Sequence, residues 1–148
     1  MQLGAILQRG RDLEGAIAKF RQAIQLEPNC AFCHRALADV LAQKGDRDAA
    51  IAEYKEVVRI ESDNPEHHFV LGAQFEAQAA TEAYAGYRFD AKTRTGRPRS
   101  STPPKTALAN YESALEQYRL AHELAPGNPS YKEAYRRLQR QLTRPNQP

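Results

Sequence analysis

The strongest constraint on this chain is that it repeats itself every 34 residues. Leu3, Leu37 and Leu71 stand at that interval, as do Leu41 and Phe75, Ala16 and Ala50, and Phe20 and Tyr54. Within one period, His34, Leu37, Ala38 and Leu41 share one helical face. Ala50, Ile51, Tyr54, Val57 and Val58 share another, and Gly45-Asp46 stands between the two runs. The unit is therefore a pair of amphipathic helices joined at a tight turn. No such pair can bury its apolar face alone, so neighbouring pairs must cover one another and stability is roughly a sum over units and their interfaces. Leu and Ala outnumber Val and Ile, which favours helix over strand.

Residue types recurring in phase give the unit a resemblance. Leu3-Gly4-x-x-Leu7, Ala16-x-x-x-Phe20, Ala23 and Pro28 stand in the first unit. His68-x-x-Leu71-Gly72-x-x-Phe75 and then Ala114-x-x-x-Tyr118, Ala121 and Pro126 follow later. With two helices per 34 residues, the chain resembles the tetratricopeptide repeat (TPR) family over nearly its whole length outside one insertion. Two positions depart from the family pattern. His34 and His68 stand where the family has a large aromatic early in the first helix, and Ser62 replaces the closing proline. The resemblance implies an all-α solenoid of helical hairpins with a lengthened third hairpin and a capping helix.

The expected organisation is one repeat domain over 1–142. Residues 1–28 form a partial first repeat, 29–64 a second, 65–126 a third, 128–142 the capping helix, and 143–148 a disordered tail. Met1 falls inside what should be the first helix of the first repeat, so the chain is expected to begin partway through a longer reading frame. Residues 1–9 would complete that helix, and Leu13–Glu27 would be its partner. Pro28 closes the unit, since proline cannot continue a helix. Asn64-Pro65 reads as a cap followed by a first turn.

The third unit fails to turn on schedule. Its second-helix alanine is due at 84 but comes at Ala114, so 30 residues are inserted, at about 79–108. The helical pattern runs on through Ala80, Ala83, Tyr84, Tyr87 and Ala91, and then Lys92 to Pro104 breaks it. The first helix should gain about 13 residues and the second about 6 to 10, at 1.5 Å each, with Pro103-Pro104 at the new start. Tyr84, Tyr87 and Tyr111 would pack along the seam, and Leu108, Tyr111, Leu115 and Tyr118 would share one face. Tyr131, Tyr135, Leu138 and Leu142 would form the stripe of the last helix. No strand is expected anywhere.

Composition narrows the function classes. No apolar run is long enough to span a membrane. Residues 1–90 hold 10 Lys/Arg against 14 Asp/Glu, and residues 91–148 hold 11 against 4, so the second part carries the positive charge. Phosphate loop, nucleophile elbow and metalloprotease motif are all missing, and the four histidines at 34, 67, 68 and 122 form no triad, so no enzyme is expected.

What remains is recognition. With the core stripe fixed, the inner stripe of the second repeat is Phe32, Arg35, Asp39 and Gln43. In the third it is Phe69, Ala73, Glu76 and Ala77, and in the first it includes Ala5 and Gln8. Two aromatics among mixed charges suit a peptide or partner protein on the concave face, with apolar anchors for affinity and charges for register. A well-known subclass of the family grips acidic chaperone tails with Lys, Asn and Arg. The matching positions here include Ala5, Ala36 and Phe69, so the resemblance implies that this clamp is missing.

Two alternatives come from other classes. Cys30-x-x-Cys33-His34 spells the c-type haem attachment motif, and the repeat sets His67 beside Cys33 and His68 beside His34, which suggests a metal site. Against this, two compact cysteines and a packing histidine suit a core equally well, so no cofactor is expected. Lys92, Arg94, Arg97, Arg99 and Lys105 make a basic loop that can attract a polyanion, although no groove-reading motif accompanies it and nucleic acid is the weaker expectation.

Overall fold

Gly45 and Asp46 turn the chain as their spacing requires. Gly45 takes a positive φ of 90°, a backbone state that only glycine enters at low cost, and closes the preceding helix in a left-handed cap. Asp46 then accepts the Ala49 N–H at 3.3 Å and starts the next helix. A computed structural model describes residues 12–85, 87–90, 95–98 and 104–143. It places helix α1 at Leu13–Leu26, α2 at Ala31–Lys44, α3 at Arg47–Ile60 and α4 at Pro65–Ala85. Strands β1 (Tyr87–Asp90) and β2 (Thr95–Pro98) follow, then α5 at Lys105–Leu124 and α6 at Pro129–Thr143.

Each helix start has its own local reason. Asp12 accepts the Gly15 N–H at 2.9 Å, and Asn64 and Asn128 accept N–H groups from Glu66 and Ser130 at 3.0 Å. Pro65 and Pro129 occupy first-turn positions, where a missing N–H costs nothing. The chain divides into two compact units, Met1–Leu71 and Gly72–Pro148, with the boundary inside α4.

In the first unit α1 packs on α2 and α2 on α3. Ala16, Ile17 and Phe20 of α1 are buried, as are Leu37, Ala38 and Leu41 of α2 and Ala50, Ile51, Tyr54 and Val57 of α3. Leu71 is buried in the same unit, in phase with Leu37. Val58, expected in the core, is half-buried, and Val40 is fully buried instead.

In the second unit α5 packs on α6. Small residues set the approach of α4 and α5. A Cβ added at Gly72 would lie 2.9 Å from the Tyr118 ring, and Ala79, Ala107, Ala114 and Ala121 are completely buried. This corrects the expected face of α5. Leu108 is exposed, and Ala107, Ala114, Tyr118 and Ala121 face inward. The larger side chains predicted the stripe about one position away from where close packing needs alanine. In α6, Ala134 and Leu138 are buried and Tyr131, Tyr135 and Leu142 only half-buried.

The insertion differs from its expectation. Helix α4 ends at Ala85 and has 21 residues against 14 in α2, a gain of 7 rather than about 13. Two strands follow where none was expected, paired antiparallel from Tyr87 opposite Pro98 to Asp90 opposite Thr95. The helical period was carried past Gly86, a poor helix former. Tyr87-Arg88-Phe89-Asp90 alternates aromatic and polar residues, which is a strand's period of two. The fold is nonetheless helical: among the described residues every buried one except Cys30 lies in a helix. Tyr84 is 79% exposed and so does not line a seam, and Tyr111 is half-buried. The Tyr87 side chain lies outside the described residues, as do residues 1–11 with Ala5 and Gln8, and the tail 144–148.

Candidate functional site

The first turn of α2 combines three kinds of side chain. Cys30 is its N-cap, and its Sγ accepts the Cys33 N–H at 3.1 Å. Between the two cysteines Phe32 stands 62% exposed. Arg35 lies three residues further on, on the same helix face, and donates from Nη2 to Glu66 Oε1 of α4 at 3.0 Å. Both partners of this pair are well exposed, so it is a surface ion pair of about 0–1 kcal/mol that another acid or base can replace. Glu66 and Phe69 are three apart on α4, and Phe69 is half-buried. Phe32, Arg35, Glu66 and Phe69 thus belong to two first helices of the first unit. Glu66 was missed in the sequence, although the 34-residue period sets it in phase with Phe32.

The remaining inner-stripe residues play other parts. Gln43 is exposed at the end of α2. Asp39 accepts a hydrogen bond from the hydroxyl of Tyr54 on α3. In the second unit Ala73 is half-buried, and Glu76 Oε2 accepts from the Tyr118 hydroxyl at 2.8 Å and from Arg137 Nη2 at 2.7 Å. Burial first, and the hydrogen bond to a carboxylate second, push both Tyr54 and Tyr118 well above the ordinary phenol range. Asp39 and Glu76 are therefore engaged with buried phenols of neighbouring helices, a tie that requires the tertiary fold.

The alternative Cys/His site is arranged for other work. Cys30 and Cys33 are joined in a disulfide, so the two free thiols that haem attachment needs are already used on each other. His34 Nε2 donates to the Pro28 carbonyl at 3.0 Å, and Nδ1 lies 2.6 Å from Glu53 Oε2. A carbonyl only accepts, so Nε2 carries a hydrogen. His68 repeats the device, with Nε2 donating to the Ser62 carbonyl at 2.9 Å. His67 Nε2 lies 2.7 Å from Glu61 Oε2, and this hydrogen bond chiefly holds the Glu61 carboxyl below the usual carboxylate range. Among the described residues no three Cys, His, Asp or Glu side chains gather as metal ligands.

These contacts give the two histidines a shared role. Each of His34 and His68 fills a core slot and also ties down the loop six residues before it. Pro28 and Ser62 stand 34 residues apart and offer the same backbone carbonyl, so the exchange of proline for serine leaves the tie intact. The basic loop can be placed only in part. Lys92, Arg94 and Arg99 lie outside the described residues, Arg97 falls in β2, and Lys105 opens α5.

Residues 38–78 match a family model described as TPR repeat. Compared with curated proteins, the sequence has no match. Several solved structures share the fold. The first TPR domain of Spaghetti bound to an HSP90 peptide is 14% identical, with a TM-score of 0.63 over 97% of this chain and 90% of that one. The Arabidopsis OM64 TPR domain is 18% identical, with a TM-score of 0.59 over 93% and 88%. The Yersinia enterocolitica type III secretion chaperone SycD in complex with a peptide of the translocator YopD is 16% identical, with a TM-score of 0.60 over 95% and 85%. Among the described residues no helix is long and apolar enough to cross a membrane.

Proposed function

We propose that this tetratricopeptide-repeat chain is a protein-interaction module and that it holds a peptide segment of a partner on the exposed face of α2. The observation that carries the reading is Phe32, 62% exposed on the same helix face as an exchangeable Arg35–Glu66 ion pair. An aromatic side chain left in water is an apolar anchor, and a replaceable ion pair beside it fixes the register of what it grips. Spaghetti and SycD, which share the fold, are each described with a bound peptide, which supports the same use here. Phe69 and Gln43 extend the face.

The ligand class follows from the charges. Ala36 and Phe69 stand where the acidic-tail clamp of the family would need Lys, Asn or Arg. A C-terminal acidic tail is therefore not the expected ligand. A segment with an apolar residue flanked by one acid and one base fits better, since Arg35 and Glu66 can each be re-partnered. The module has no catalytic role in this reading.

A displayed library of short peptides, selected on the whole chain, tests the reading. Selected peptides should share an apolar residue next to a charged one, and should lose at least about tenfold in affinity, or 1.4 kcal/mol, against Phe32→Ala/Arg35→Ala, with far-UV ellipticity unchanged. Equal binding to wild type and the double variant would move the site off this face.

A further inference from the structure

The disulfide across the first turn of α2 has no part in the partner-binding reading, and its position is not that of a structural staple. It joins residues only three apart, so it removes little freedom from the unfolded chain. Phe20, Leu37, Val40 and Val57, each 1% exposed or less, build the core of the unit without it. We propose that Cys30–Cys33 is a reversible thiol–disulfide site, exchanging with small dithiols and disulfides while the helices stay folded.

Three observations support a folded reduced state. Cys30 Sγ is the N-cap acceptor for the Cys33 N–H, and a thiol or thiolate fills that role after the bond breaks. The first turn of α2 contains no acidic residue, so a thiolate at Cys30 meets the positive end of the helix unopposed. Arg59 Nη2 lies 3.3 Å from Asn29 Oδ1, which brings a guanidinium to the residue next to Cys30. Position separates the two cysteines. Cys30 is the N-cap residue, where a thiolate is stabilised, and is 8% exposed against 1% for Cys33, so Cys30 is assigned as the attacked sulfur and Cys33 as the one that resolves.

The exchange balances as two thiol displacements. A dithiol's thiolate attacks Cys30 Sγ, the Cys30–Cys33 bond breaks, and Cys33 leaves as a thiolate and takes up a proton. The dithiol's second sulfur then attacks its own sulfur in the mixed disulfide, and Cys30 departs as the thiolate held at the N-terminus of α2. Two electrons and one proton pass to the protein, the second thiol proton is released to solvent, and the dithiol becomes a cyclic disulfide. Oxidation is the same path reversed.

The test uses the full chain in dithiothreitol buffers of graded reduced-to-oxidised ratio, with acid quench, maleimide labelling and intact-mass counting. The expected result is a two-electron titration from no label to two labels at unchanged far-UV ellipticity. If labels appear only in denaturant, or if helicity is lost as they appear, the proposal is overturned. Single variants probe the assignment of the two sulfurs. Cys30 in Cys33→Ser should be labelled at least about tenfold faster than Cys33 in Cys30→Ser, because lowering a thiol pKa by one unit raises its thiolate fraction about tenfold. Equal rates in the two folded variants would remove the asymmetry on which the mechanism depends.

Discussion

At two positions a buried tyrosine donates its hydroxyl to a carboxylate on a neighbouring helix: Tyr54 to Asp39 and Tyr118 to Glu76. Truncating either phenol leaves the packing ring in place and removes a hydrogen bond to a charged group, which is typically worth about 1.5–3 kcal/mol. Tyr118→Phe should therefore lower the urea midpoint without changing helicity, and Tyr54→Phe should do the same in the other unit. The pH dependence follows from the same pair. Both phenols are raised in the folded state, so the fold binds their protons more tightly than the unfolded chain does. Their contribution is fully present below the ordinary tyrosine value near 10 and is lost as pH rises above it. Urea denaturation from pH 8 to 11 should show stability falling above 10, and the fall should be shallower in Tyr54→Phe/Tyr118→Phe. Gly45 is the other decisive residue. At φ 90° an alanine is strained by about 1–2 kcal/mol although open space surrounds it, and Gly45→Ala should lower the midpoint accordingly.

At the scale of elements, the second unit depends on helices that approach closely. Gly72 faces the Tyr118 ring, and a Cβ there would lie 2.9 Å from two ring carbons and 3.3 Å from the Ala114 carbonyl oxygen. The ring cannot swing away cheaply, because it is 2% exposed and tied to Glu76. Gly72→Ala should therefore cost about 1–3 kcal/mol by overpacking, even though alanine is the better helix former, and a denaturation series against Tyr118→Phe/Gly72→Ala would show whether the tie to Glu76 sets that cost. Beyond Ala85 the pattern of helices gives way to the strand pair. Two strands of four residues add little stability by themselves.

At the scale of the whole molecule, helix α6 presents one apolar and one polar face: Ala134 and Leu138 are buried, while Arg136, Arg137 and Arg140 are exposed. Ending the chain after Gly127 would uncover the face of α5 that α6 packs on and release Arg137 from Glu76. Dye binding to exposed apolar surface should rise, and the unfolding of the second unit should lose cooperativity. Normal cooperativity in that truncation would mean that α6 is dispensable.

Much of this protein is legible in its amino-acid sequence. The 34-residue phase placed α1 to within a residue and set the turn between α2 and α3 at Gly45-Asp46, because amphipathic period and turn chemistry at Gly45-Asp46 and Asn64-Pro65 are local properties. Phe32 and Arg35 were legible as a surface pair for the same reason. Other features depended on neighbours far along the chain. Glu66 reaching Arg35, Asp39 and Glu76 held by phenols, and the alanine face of α5 are outcomes of which helix lies against which. The histidines at 34 and 68 looked like substitutions for an aromatic, and only the folded loop brings a carbonyl to each ring. Periodicity along the sequence decides which faces turn inward. Which polar group meets which is decided by side chains brought together from distant points of the chain, and only the tertiary structure settles that.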